Sequence, residues 1–344
     1  MFVFLIRKKN IILEKDRKRI EWIDQVRGFS IFLVIYGHNF PISEKYIYTF
    51  HVPLFFLISG FFHPVVQNSN SILKRFKSVM IPYFLWSSLL FLFWLFLGRF
   101  YGESTNFDLS ILKNFVGVFY SQGGRDYMDW GITMWFLPAI FLTFLFFSLI
   151  RKINKLYTQL IALAIFITVG FTLPYLFHIH FIWSFDVALV ALAFYSLGFF
   201  FKSYIINLSK KQSWIFVIVF GVIHITLFSL NSKVDMYRSI YGNEFLFMIN
   251  GIAGTIFYLM LIKSIPIFKF LSYIGKSTIP ILALHLRVLT VIKFMMLIAF
   301  GITVFNFTEL QKFSISVIQI LILIPIIYLI NKYMPILNGK FKKV

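Results

Sequence analysis

Apolar runs of roughly 14 to 23 residues, separated by short clusters of Lys and Arg, recur from one end of the sequence to the other. That pattern constrains the fold more than any other feature. With 59% hydrophobic and 13% charged residues, a 344-residue chain has too little polar surface to be solvated by water. The solvent it requires is lipid. A bilayer core of about 30 Å is crossed by about 20 helical residues, and the runs at 27–40, 46–67, 79–98, 132–150, 159–177, 182–200, 213–230, 245–262, 277–299 and 313–331 are ten candidate spans. The expected fold is all-α and integral to the membrane: a bundle of about ten transmembrane helices over residues 21–331, with a basic segment at 1–20 and a basic tail at 332–344.

A net charge of +20 suits nucleic acid only if the cations share a face. Here they sit in small clusters between apolar runs, so no nucleic-acid partner is expected and the lipid bilayer is the partner instead. The clusters before Arg27, at 74–77, at 151–155, at 202–211, at 263–276 and at 332–343 fall on one side of a ten-span model. Lys45, Arg99, Lys113, Arg125, Lys233, Arg238 and Lys312 fall on the other. By the positive-inside rule both termini are expected in the cytoplasm. The chain contains no Cys, which removes disulfides, thiolate nucleophiles and Cys-based metal sites. The opening MFVFLIRKKN lacks the order of a cleaved signal peptide, so the first span is expected to act as its own insertion signal.

Ionisable groups at depth cost about 2.5–3.5 kcal/mol each on insertion scales, so they tend to face a bundle interior or a wet cavity. In QVRGFSIFLVIYGHNF, Arg27 and His38 are eleven residues apart, which puts them on one helical face about 16 Å apart. Asp24, three residues before Arg27, is placed to pair with it. Arg27 also reads as an ordinary interfacial anchor. His51, in FHVPLFFLISGF, follows a short turn and is expected at the depth of His38. The two imidazoles either share a cavity or are separately hydrogen-bonded within the bundle. No third ligand has a supporting spacing, so no metal site is expected. His285, at the end of TIPILALH, completes such a cavity or packs on a backbone partner, and Arg287 points elsewhere. His63, His178, His180 and His224 are expected at the interface, without a chemical role. The connection 99–131 is long enough to carry function or to be a plain linker.

IDQVRGFSIFLVIYGH and FHVPLFFLISGF, followed in order by IPYFLW, WFLPAIF and LSYIGKSTIPILALH, resemble the signatures of the acyltransferase 3 family of membrane O-acyltransferases, particularly its small sugar O-acetylases. The resemblance covers about residues 20 to 331. It implies a ten-helix bundle in the bacterial cytoplasmic membrane that moves an acyl group, acetyl above all, from cytoplasmic acyl-CoA to a glycan or lipid-linked saccharide. Acetyl-CoA would be a substrate, with no permanently bound cofactor.

His38 matches the family's essential His and Arg27 its Arg. The family's R-x-x-R pair is not intact: KRFKSVMIPY has Ser78 where the second Arg falls. Lys74, Arg75 and Lys77 remain as a cluster suited to coenzyme A phosphates, or to topology alone. On this reading His38 is a general base or a transient acyl carrier, Arg27 orients the donor, and Asp24 steadies Arg27. His51 orients His38 or meets the acceptor, while Ser59, Trp135 and His285 contact the acceptor or line the cavity. A glycan exporter or flippase would account for the same spans and buried histidines without acyl-CoA.

Overall fold

The computed structural model describes residues 20–66, 68–302 and 304–341. Most of the basic N-terminal segment and the last three residues of the tail lie outside them. The described residues form helices and no β-strand, with one isolated bridge between Asp235 and Ile240. In chain order the helices are α1 (Glu21–Gly37), α2 (Glu44–Tyr48), α3 (His51–Phe61), α4 (Ser69–Phe96), α5 (Ile111–Tyr120), α6 (Arg125–Met128) and α7 (Phe136–Ile150). They continue as α8 (Leu156–Phe177), α9 (Phe185–Asn207), α10 (Lys210–Leu230), α11 (Glu244–Ser264), α12 (Lys269–Gly275), α13 (Thr278–Phe300) and α14 (Glu309–Tyr333).

Helix starts are written locally. Asn68, Ser209 and Thr308 each form a capping box with the residue three places on, at the heads of α4, α10 and α14. At the other end of α9, Lys263 donates from Nζ to the carbonyls of Ile205 (2.5 Å) and Leu208 (2.8 Å), satisfying groups the helix leaves open.

Eight helical segments among the described residues are long and apolar enough to cross a membrane, rather than ten. They are the helices from α4 and α7 to α11, together with α13 and α14. The first two candidate spans differ. The run 46–67 is split, because Pro53 cannot donate to the carbonyl of Thr49 and so α2 cannot continue through it into α3. The resulting α3 has 11 residues, about 16 Å of helix, roughly half a hydrocarbon core.

Short helices survive here because protein, not lipid, surrounds them. Eight residues of α3 and most of α1 are buried. Close packing makes this possible: a Cβ on Gly28 or Gly275 would strike the backbone of Leu271 or Asp24 where α1 meets α12, and Gly60 and Gly198 stand in the same relation where α3 meets α9. Around this core α9 is 78% buried along its most apolar window, whereas α8 is only 11% buried and faces outward. α1 and α3 are thus part of the interior that the longer helices enclose.

Candidate active site

A cavity of ≈ 380 Å³ runs beside α1 and α3, with lining residues from both ends of the bundle. One end is cationic. Arg27 on α1, Arg75 on α4, Lys276 before α13 and Lys340 after the C-terminal 3-10 turn (Pro335–Asn338) all line it, beside Ser59, Ser78 and Asn338. Arg75 donates from Nη2 to Ser59 Oγ (3.3 Å). Asn338 donates to the Lys276 carbonyl (3.0 Å), and Trp86 Nε1 to that of Leu337 (2.8 Å), which fixes the C-terminal turn against α4 and α13. Asp24, 3.5 Å from Arg27, holds the guanidinium from behind but is not a lining residue.

Lys74 and Lys77 are exposed on α4 and are absent from the lining. Of the cluster expected to receive phosphate, only Arg75 reaches the cavity. Lys276 and Lys340 take the places of the other two, and Ser78, the position that breaks the R-x-x-R pair, lines it as well.

The middle of the cavity is apolar, walled by Ile31, Val34, Ile140 and Ile279. At its far end stand His38, His51 and Tyr48, with Thr133 and Trp135 from the turn before α7 and Asp235, Met236 and Tyr237 from the loop between α10 and α11. His38 follows the last turn of α1, its N–H bonded to the Val34 carbonyl (3.1 Å), and Pro41 stops the helix just beyond. His51 opens α3 and donates from Nδ1 to the Ile47 carbonyl (2.8 Å), since a carbonyl only accepts. Its Nε2 is then the lone-pair nitrogen of the neutral ring. The Tyr48 ring lies 5.0 Å from that of His51. Arg27 and His38 do share one wall, as their spacing predicts.

His285 is fully buried and is absent from the cavity lining. It packs behind His38, ring centroids 5.1 Å apart. Its Nδ1 donates to the carbonyls of Ile281 and Leu282 (both 3.0 Å), and its Nε2 has no hydrogen-bond partner. Around it runs a polar network that the sequence does not announce. Asn39 donates to Gln319 Oε1 (2.7 Å) and Ser316 Oγ (2.8 Å), and Gln319 donates to the His285 carbonyl (2.9 Å). The end of α1 is thereby tied to α13 and α14. Arg287, also on α13, donates to the carbonyls of Asp129 (3.0 Å) and Trp130 (2.6 Å) and so anchors the connection before α7.

Two histidines expected at the interface are buried instead. His63 meets the Tyr195 hydroxyl (2.9 Å) among Phe144, Phe147 and Phe199, and His224 meets Asn250 Oδ1 (2.6 Å). A helix end is interfacial only when nothing packs over it, and here neighbouring helices do. No group of three or more potential ligands able to hold a metal ion occurs among the described residues.

Asp235 lies in a loop outside the spans. Burial pushes the Asp235 carboxyl up to about 6, against the pull of Arg238 and Lys233.

A family model described as an acyltransferase domain matches residues 20–333, nearly the whole chain. The chain belongs to that acyltransferase family. No curated protein and no solved structure matches it. Together with the eight apolar helices, membership makes this a multi-pass membrane acyltransferase.

Proposed function

We propose that the chain is a membrane O-acyltransferase of the sugar O-acetylase kind, which takes acetyl from acetyl-CoA and passes it to a hydroxyl of a cell-envelope glycan. The observation that carries this is the polarity of the cavity: four cations at one end, imidazoles, aromatic rings and a carboxylate at the other, and an apolar passage between. Coenzyme A phosphates fit the end formed by Arg27, Arg75, Lys276 and Lys340. An extended pantetheine arm then brings the thioester about 16 Å along α1 to His38. The acceptor hydroxyl enters at the opposite end, between Trp135, Tyr237 and Asp235. By the positive-inside rule the cationic end is cytoplasmic, and both ends of the described chain lie there.

His38 acts in one of two balanced ways. As general base it takes the hydroxyl proton while the alkoxide oxygen attacks the thioester carbon, and the imidazolium returns the proton to the leaving coenzyme A sulfur. As acyl carrier its lone-pair nitrogen attacks the thioester carbon and coenzyme A leaves as the thiol with the ring N–H proton; the acceptor hydroxyl then attacks the acyl carbon, its proton returning to the ring as the carbon–nitrogen bond breaks. Both need a ring nitrogen with a free lone pair. His285 steadies that ring from behind, and His51 faces the acceptor. The family membership favours transfer over a glycan exporter.

The test is acetyl transfer in proteoliposomes, from labelled acetyl-CoA to glycan from cells that naturally carry this gene. His38→Ala is expected to lose about 10²–10⁴ in kcat, and Arg27→Ala to raise the KM for acetyl-CoA. Equal labelling by the wild type and both variants would overturn the assignment.

A further inference from the structure

Beside the acceptor end lies a second hollow of ≈ 380 Å³, within the range of about 300–1,000 Å³ typical of ligand sites. Gln122, Arg125, Asp126, His180 and Arg238 contribute its side chains, and Tyr237 belongs to both this hollow and the main cavity. The lining has an amide, two guanidinium groups, a carboxylate, an imidazole and a phenol, and no aliphatic side chain. Such a surface solvates hydroxyl groups and rejects an acyl chain.

Three loops build the hollow, and each is held in place. Arg287 grips the carbonyls of Asp129 and Trp130, the Tyr120 hydroxyl donates to the His180 carbonyl (2.8 Å), and Asp235 and Ile240 exchange two backbone hydrogen bonds (2.7 and 3.0 Å). The site is preformed. Its charges are balanced as well: Arg125 lies 3.6 Å from Asp129, Arg238 lies 3.8 Å from Asp235, and Asp126 adds another carboxylate. No excess of positive charge remains to select an anionic ligand.

We infer that this hollow is an extension subsite for an uncharged sugar residue next to the one being acylated, so that the acceptor is an oligosaccharide or polymer, not a monosaccharide. The inference rests on the acyl-transfer reading. Tyr237 is the crossing point. Its ring lies 6.3 Å from that of Trp135 at 33°, and its hydroxyl accepts from Arg238 Nε (2.6 Å). A glycan chain passing over these two rings has one residue facing His38 and the next among Gln122, Asp126 and His180.

The experiment uses the full chain in proteoliposomes with labelled acetyl-CoA. The probe is envelope glycan from the natural host, de-O-acetylated with mild alkali, cleaved with mild acid, and sized into fragments of one, two, and three or more sugars. Wild-type kcat/KM is expected to rise at least tenfold from the single sugar to the longest fragments. The double variant Gln122→Ala/Asp126→Ala is expected to lose that gain and to keep the single-sugar rate. Equal use of all lengths by the wild type, or a variant that lowers every length alike or none, overturns the subsite. A length advantage that collapses at about 0.5 M salt marks charge recognition and overturns its uncharged character. If the wild type acylates no fragment while His38→Ala behaves identically, the acyl-transfer reading falls as well.

Discussion

At the scale of the residue, the site is governed by what surrounds each polar group. His38 and His285 are neighbours with different surroundings: one ring faces the cavity, and the other is fixed by two carbonyls and buried behind it. Asp235 shows the cost of such placement most directly. Arg238 and Lys233 pull its carboxyl down, Glu44 pushes it up, and burial prevails, moving it from 3.8 to about 6. The folded chain therefore holds this proton more tightly than the unfolded chain does. By linkage, its contribution to stability is greatest below about pH 4, falls as pH rises to about 6, and is constant above that. In detergent, the wild-type melting temperature is expected to drop between pH 4.5 and 6.5 more steeply than that of Asp235→Asn, which cannot ionise. Identical slopes in the two proteins would show that Asp235 is not buried as described.

At the scale of the element, two short helices inside the bundle depend on backbone contact. The α1–α12 and α3–α9 pairs meet through glycines whose missing side chains are occupied by the partner's backbone. Backbone does not move aside as a flexible side chain does, so even one methyl group must separate the helices. Gly28→Ala is accordingly expected to cost about 1–3 kcal/mol. Because Arg27 sits beside Gly28, the separation also widens the cationic end of the cavity. A lowered melting temperature in detergent, together with a raised KM for acetyl-CoA, is the expected pair of results. Gly301→Ala offers the contrast, since among the described residues nothing beyond its chain neighbours lies within 4 Å of its Cβ position; its cost comes from a φ of 65°.

At the scale of the whole molecule, the organising feature is a passage with chemically opposite ends, built around helices too short to span lipid by themselves. The chain's lack of Cys makes that passage directly measurable. Single substitutions Ile31→Cys and Ile140→Cys in the cavity wall are expected to react with a small charged thiol reagent, and coenzyme A to slow the reaction. Ile218→Cys on the outward face of α10 is expected to stay unlabelled in a bilayer. Labelling of Ile218→Cys but of neither cavity position would invert the inside and outside assigned to the bundle.

The sequence by itself determined the solvent, the helical fold, the family and one wall of the site. Hydropathy is a property of the chain, and the eleven-residue spacing of Arg27 and His38 fixes their common face whatever else packs nearby. The split at Pro53 is also local in origin, although a continuous apolar run conceals it. Everything that required two distant segments to meet was decided by tertiary structure. Lys276 and Lys340 replace Lys74 and Lys77 at the cationic end because the C-terminal turn folds back against α4 and α13. Asp235 and Tyr237 reach the cavity because a loop nearly two hundred residues after His38 closes over it. Asn39, Ser316 and Gln319 form a network only across helix contacts. A lone polar residue in an apolar run reveals that it needs a partner, and only the packed bundle supplies which one.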